Sequence, residues 1–453
     1  MHLIIQLIKY LMILMLGAYT FYSFGIFRQR NKKQQARSYG MLTVFIFAVH
    51  FVGYFTLYIQ SLSDKVLLLY GFQAALFFLI IAFYQAFYPK LSRLLLRNML
   101  MLLAIGFIIL ARLSFDKAVR QTAFVAIAAA LCILVPVVIR RFNYLRRFGW
   151  LYALAGIAAL LVVLFAGTTR FGATNWLSIV GFSFQPSELV KLLFVLCIAS
   201  LFVRGTDLKR VITVTVISGV NVLILVLQRD LGGALIFFVT YVFMLYTATA
   251  KPAYLFSGLA GGSLAALVAY RLFDHVKVRV MAWKNPFAYI DNEGYQISQS
   301  LFAIGTGGWF GMGINRGLPT SIPVVDSDFV FAAISEEFGG LFAICVILIY
   351  INCFMMMINI SLKMEDMFYR LVAAGFSVMF GFQVILSVGG VIKFIPSTGV
   401  TLPFISSGGS SVFATFLMFM ILQGIYLKGY AVKKTEETEE TEETDTESEW
   451  RRP

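Results

Sequence analysis

Thirteen runs of apolar residues follow one another through this chain between residues 3 and 429. Each is close to the roughly 17–25 residues that cross a bilayer as a helix. Among them are 3–26, 41–61 and 65–88 near the start, and 329–354, 368–388 and 409–429 near the end. A chain built this way is expected to be an all-α polytopic membrane protein. Its composition agrees: 60% of 453 residues are hydrophobic and only 13% are charged, where soluble domains carry about 25%. The first run lacks a basic start and a small-residue cleavage site, and further spans follow it, so it reads as a span and not as a signal peptide.

Lysine and arginine favour cytoplasmic loops. One alternate set of loops holds Arg28, Arg30, Lys32, Lys33 and Arg37, then Arg140, Arg141, Arg146 and Arg147, and finally Lys428, Lys433 and Lys434. That set is expected inside. The other, around 62–64, 114–117, 169–186, 229–230, 273–328 and 389–408, is expected outside. About thirteen spans then leave the N-terminus outside and the C-terminus in the cytoplasm. The large outer loop 273–328 breaks the pattern with Lys277, Arg279, Lys284 and Arg316. Bases set against the rule are candidates for holding an anion.

Residues 435–449 hold nine acids and no base. The Thr-Glu-Glu repeat there buries nothing, so 431–453 is expected to be an acidic, disordered cytoplasmic tail. With residues 435–453 set aside, 35 basic and 14 acidic residues remain. In a membrane protein such an excess points to anionic membrane lipids and not to nucleic acid. Cys132, Cys197, Cys345 and Cys353 lie inside apolar runs without metal-ligand spacing, and the three histidines are scattered. Neither pattern suggests a zinc or haem centre.

Four polar stretches stand out. In Phe184–Lys191, Pro186 suits a helix start, which puts Glu188 and Lys191 three apart on one face as an ion pair or a cavity wall. Nearby Trp176 is an interfacial anchor or a flat surface for a sugar or lipid. Arg229 and Asp230 form a very short outer turn, as helix caps or as part of an outer cavity. The loop 273–328 has a segment containing Gln296 and then six glycines between Gly305 and Gly317, which suggests close backbone approach. It is not a P-loop, because the GxxxxGK[S/T] pattern is missing. In 394–411, Ser406, Gly408, Gly409 and Ser410 lead into the last span, as a bare re-entrant turn or as open amides for a phosphate oxygen.

Acids at the mouth of a membrane helix cost free energy and need a reason. Asp326, Asp328, Glu336 and Glu337 fall within twelve positions. Asp328 is expected at the outer face. Ser327-Asp328 also has the look of a helix start, where the dipole would stabilise the carboxylate and lower its basicity. Glu336 and Glu337 lie about 12 Å or more further along a helix at ~1.5 Å per residue, and are expected to serve packing or a cavity polar network.

Taken in order, these motifs resemble the SEDS family (shape, elongation, division and sporulation). The resemblance rests on Gly172-Ala173 with Trp176, Phe184–Leu189 with Lys191, and Asp230–Gly232. It continues through Gly294–Gln296 with Gln299-Ser300, Asp328-Phe329 with Glu336-Glu337, and Leu402–Ser406 with Gly408–Ser411. It covers about 98–430, as a ten-helix catalytic core, and leaves 1–97 as an extra three-helix membrane region. Ser327 stands where the family usually has Thr, Asp326 where His is common, Arg229 where Pro is frequent, and Ser407 where Tyr is frequent.

The resemblance implies an inverting peptidoglycan glycosyltransferase of the bacterial cytoplasmic membrane. Such enzymes polymerise lipid II outside the membrane, beside a class B penicillin-binding protein. The family's outer-loop aspartate falls on Asp328, the expected base. Arg279 is the first choice for the pyrophosphate, because a guanidinium forks onto phosphate oxygens; Arg316 is the second. Asp326 beside Asp328 is expected to raise a carboxylate pKa or to favour a divalent cation, Mg or Mn. The competing functions are a lipid II flippase and a non-catalytic scaffold of the wall machinery. The three extra spans are expected to serve localisation or assembly and not the chemistry.

Overall fold

The computed structural model describes the backbone of residues 2–450 apart from 171, 172, 180 and 181, and the side chains of 6–430 apart from 170–172 and 179–182. Three helices come first: α1 (His2–Gly25), α2 (Lys32–Ser61) and α3 (Asp64–Phe87). Then follow α4 (Arg93–Leu113), α5 (Phe115–Cys132), α6 (Val135–Arg141), α7 (Gly149–Ala166), α8 (Pro186–Phe202), α9 (Leu208–Leu227), α10 (Leu231–Thr249) and α11 (Pro252–Leu272). The loop 273–328 contains α12 (Asp274–Lys284) and α13 (Tyr295–Gly307). Last come α14 (Val330–Phe338), α15 (Gly340–Leu362), α16 (Met367–Val391) and α17 (Gly409–Trp450). The acidic segment 431–453, expected to be a disordered tail, falls outside the described residues apart from the helical course of α17.

Among the described residues, twelve helices are long and apolar enough to cross a membrane, with α5 and α6 counted as one. They part near Pro136, which has no N–H for the carbonyl four residues back. The expected span at 187–203 is α8, whose 17 residues leave it just short of those twelve. The expected continuous span at 329–354 is two helices. Gly339, at φ +91°, separates α14 from α15, and a Cβ there would stand 2.4 Å from the amide nitrogen of Gly311. The Gly339-Gly340 pair permits the break, and the close-packed loop fills it.

An all-α chain also gains a small sheet that was not expected. β1 (Thr168–Arg170), β2 (Ala173–Ile179) and β3 (Phe182–Phe184) pair antiparallel in that order, with Thr168 opposite Trp176 and Leu177 opposite Phe184. The β-branched and aromatic residues of this stretch suit strands.

α4 is the central helix, with 94% of its apolar window buried, while α11 lies at the edge with none. Gly106 of α4 lets the Phe404–Ile405 backbone pass; a Cβ there would be 2.7 Å from the Phe404 carbonyl oxygen. The first three helices are keyed to the rest by hydrogen bonds. Tyr19 donates to Asn98 at 2.8 Å, Asn98 to Asn352 at 2.7 Å, and Gln73 to Thr122 at 2.8 Å. Such bonds hold helices together where lipid offers no competing hydrophobic gain.

The loops sort to the two ends of the bundle. At one end Arg146 pairs with Asp366, Arg204 bonds the Arg147 carbonyl, and Arg97 bonds the Tyr39 carbonyl. At the other, the junctions at 114–117, 168–185, 228–230, 273–329 and 392–408 bond to one another, as described next.

Candidate functional site

Asp328 stands in a tight turn ahead of α14. The amides of Ser327 and Asp328 both donate to the Val324 carbonyl, at 3.1 and 3.2 Å, and Val324 has φ +58°. α14 starts at Val330, with Phe329 at its cap position and no side-chain cap. The expected Ser327-Asp328 helix start is therefore not formed. Instead the Ser327 hydroxyl donates to Asp328 Oδ1 at 2.9 Å. Burial raises the Asp328 pKa from its ordinary value. The Ser327 bond and the Arg279 charge pull it back, and Asp326 and Asp230 push it further up. A carboxylate set this way is a stronger base than one held at a helix N-terminus.

Arg279 is carried in by α12, which is tied to the 392–408 segment. Its Nη1 donates to the Ser397 carbonyl at 3.1 Å, and Trp283 donates to the Lys393 carbonyl at 3.1 Å. Burial lowers its pKa, while Asp230 and Asp328 raise it. Asp230 caps α10 by accepting from the Gly233 amide at 2.8 Å and also accepts from Asn175 of β2 at 3.4 Å. Gly399, at φ +71°, closes the other side: a Cβ there would lie 3.3 Å from Asp328 Oδ2.

The second acid of the turn faces elsewhere. Asp326 pairs with Lys117 of α5 at 2.8 Å, and its carbonyl accepts from the Ser407 amide at 2.8 Å. Ser406 donates to the Ser327 carbonyl and accepts from the Leu402 amide at 2.9 Å. It is buried and staples the Asp328 turn to the loop before α17, where a ligand-facing hydroxyl was expected. Ser410 is likewise engaged, accepting from the Gln185 amide at 3.1 Å. Beside these residues opens a groove of about 590 Å³, whose lining includes Lys117, Arg120, Phe124, Trp176, Gly408 and Gly409. It joins two cations, two aromatic faces and a pair of glycines, which suits a phosphorylated, partly apolar ligand.

Glu336 and Glu337 are clasped by the glycine-rich loop. Glu336 Oε1 accepts from the Leu318 amide at 2.8 Å; Glu337 Oε1 accepts from the Asn315 amide at 3.2 Å and pairs with Arg112 at 2.7 Å. Arg316 lies in this loop, and Gln296 is half-buried at the start of α13. Glu188 and Lys191 pair at 2.9 Å, with Lys191 also bonding Gln383 at 3.1 Å. The cavity beside them holds about 10 Å³, the room of a single water.

The sequence reading missed Lys117, Arg120, Arg112 and Gly399. The three bases flank the turn at 114–117, which is expected outside, against the positive-inside rule, and that was their signal. Among the described residues, no three His, Cys, Asp or Glu side chains converge on a metal position. With Asp326 committed to Lys117, Asp328 fits a hard cation only as one ligand among waters and substrate phosphates, a usual arrangement for Mg.

A family model described as "Cell cycle protein", for FtsW, RodA and SpoVE, matches residues 92–429. A curated relative, the peptidoglycan glycosyltransferase RodA of Mycobacterium tuberculosis, is 32% identical over 373 residues, covering 75% of this chain and 79% of its own. A probable peptidoglycan glycosyltransferase FtsW of a Geobacter species is 31% identical, over 60% of this chain and 76% of its own. A chain from a solved peptidoglycan synthase complex that coordinates polymerisation and crosslinking matches the fold with a TM-score of 0.64 at 23% identity, covering 76% of this chain and 99% of its own.

Proposed function

The chain belongs to the cell cycle protein family of FtsW, RodA and SpoVE, and from that premise we propose how its residues carry out the reaction. It is a peptidoglycan glycosyltransferase, a multi-pass protein of the bacterial cytoplasmic membrane that joins lipid II into glycan strands. A sugar hydroxyl of one chain attacks the anomeric carbon of another. The new C–O bond forms as the bond to the lipid pyrophosphate breaks, and the leaving oxygen keeps the electron pair. The anomeric configuration inverts, and the attacking hydroxyl gives up its proton.

Asp328 takes that proton. The observation that carries this assignment is a buried carboxylate held by the Ser327 hydroxyl, raised in pKa and acted on by the Arg279 charge. General bases work best with a pKa moved toward the working pH. Arg279 stabilises the departing pyrophosphate, whose charge grows as the bond breaks. The groove of Lys117, Arg120, Trp176 and the Gly408–Gly409 backbone takes the lipid-linked headgroup, and the bundle end carrying it faces outward. Asp230 orients Arg279; Glu188, Lys191, Glu336 and Glu337 hold the scaffold. A Mg or Mn ion bound by Asp328 and the substrate phosphates would add positive charge at the leaving group. A class B penicillin-binding protein is the proposed partner, in line with the synthase complex that shares this fold. Loss of polymerisation of purified lipid II in a folded Asp328→Ala chain tests the assignment.

A further inference from the structure

The family match begins at residue 92, so α1, α2 and α3 lie outside it. Yet two of these helices reach the loop that supports the catalytic helix. Lys9 of α1 donates to the Gly311 carbonyl at 2.9 Å, and Gln60 of α2 donates to the Ile314 carbonyl at 2.8 Å. Tyr10 meets the ring of Phe310 edge-on, with centroids 5.5 Å apart. Three side chains from outside the family region thus hold a stretch of five residues.

That stretch is a collar around the break between α14 and α15. The amides of Met312 and Gly313 donate to the Glu336 and Glu337 carbonyls, both at 2.9 Å, which satisfies the open end of α14. The Gly340 and Leu341 amides donate back to Gly308 and Trp309, at 2.8 and 3.2 Å. A Cβ on Gly311 would collide with the Glu337 carbonyl oxygen at 2.4 Å, so the collar lies flat on the helix end. α14 has nine residues, about 13.5 Å at ~1.5 Å per residue. Asp328 stands at its other end.

We propose that Lys9 and Gln60 are positioning residues for glycan polymerisation: they fix the collar at 308–318, which fixes α14 and through it the Asp328 turn. Resting on the polymerase reading, this assigns the extra helices a part in the turnover step and not only in localisation. Lys9 is a cation near the end of an apolar helix, a costly placement that a single backbone carbonyl and the facing Tyr10 ring, 5.2 Å away, help to offset. Collar carbonyls that lose these donors face lipid headgroups and water, and the loop gains freedom. Reactions of this kind are sensitive to shifts of about 1 Å in the catalytic group.

The test uses the full-length chain carrying Lys9→Ala and Gln60→Ala together, with Lys9→Arg and Asp328→Ala beside it. Hydrogen exchange at the amides of Met312, Gly313, Asn315 and Leu318 is expected to speed up about tenfold in the double variant. Its kcat for lipid II is expected to fall about tenfold with KM unchanged. Lys9→Arg, which keeps the donor, is expected to keep both near the parent values. Unchanged exchange, or faster exchange with parental kcat, overturns the proposal. If the parent polymerises no better than Asp328→Ala, the polymerase reading itself fails, and the exchange result still decides whether these side chains hold the collar.

Discussion

The hydroxyl of Ser327 donates to Oδ1 of Asp328 at 2.9 Å, while the Asp326 carboxylate between the same turn and α5 is drawn off to Lys117 at 2.8 Å. Two neighbouring side chains therefore act on Asp328 in opposite senses. The hydroxyl favours the anion and the second carboxylate opposes it.

This gives a signed pH dependence. The Asp328 pKa lies above its ordinary 3.8, so the base form is lost at a higher pH than for an exposed aspartate, and the acid limb of kcat/KM follows it. Ser327→Ala removes a bond to the anion and should move that limb to higher pH. Asp326→Asn removes a like charge and should move it to lower pH. Limbs shifting in the same direction in both variants would contradict the assignment of Asp328 as the titrating base.

Arg279 is expected to be needed as a fork and not only as a charge. Arg279→Lys keeps the cation but not two parallel N–H donors, and should lower kcat/KM for lipid II about 100-fold, in the range for a lost electrostatic stabiliser. Steady-state kinetics on the purified variant check this. A lysine variant near parental activity would move the pyrophosphate site elsewhere.

Chelation should slow polymerisation, and added Mg or Mn should restore it. The charges of Asp230 and Asp328 both act on Arg279, so a doubly charged pyrophosphate arriving there would meet too little positive charge. A rate indifferent to chelator would leave Arg279 and the groove bases as the whole of the charge stabilisation.

Glu337→Gln should destabilise the fold. The Glu337 side chain is fully buried and Arg112 is 13% exposed, and removing one partner of such a pair costs about 3 kcal/mol or more. Replacing both, as Arg112→Met with Glu337→Leu, should cost less than the single change. Thermal unfolding in detergent measures both.

Much of this was legible in the chain because it is local. Apolar run length marks each span, loop bases sort the loops to two ends, and the acids at 326, 328, 336 and 337 sit where a membrane protein rarely places them. Arg279 was visible as a base in a loop expected outside. What escaped depends on partners far away in sequence. Lys117 meets Asp326 across 209 positions and Arg112 meets Glu337 across 225. The break at Gly339-Gly340 is marked locally only by the two glycines, and the loop some thirty residues earlier that packs on its backbone is not. Ser406 carries the residue type of a ligand-binding serine, and only its bonds to Ser327 and Leu402 reveal a staple. The extra helices read as separable because their sequence shows spans and not what those spans touch.

The most direct measurement is glycan chain formation from purified lipid II by the full-length protein with Asp328 replaced by alanine, alongside an unfolding curve matching the parent. The account predicts no polymer and unchanged folding. Parental polymer lengths and rates from the folded Asp328→Ala chain would contradict it.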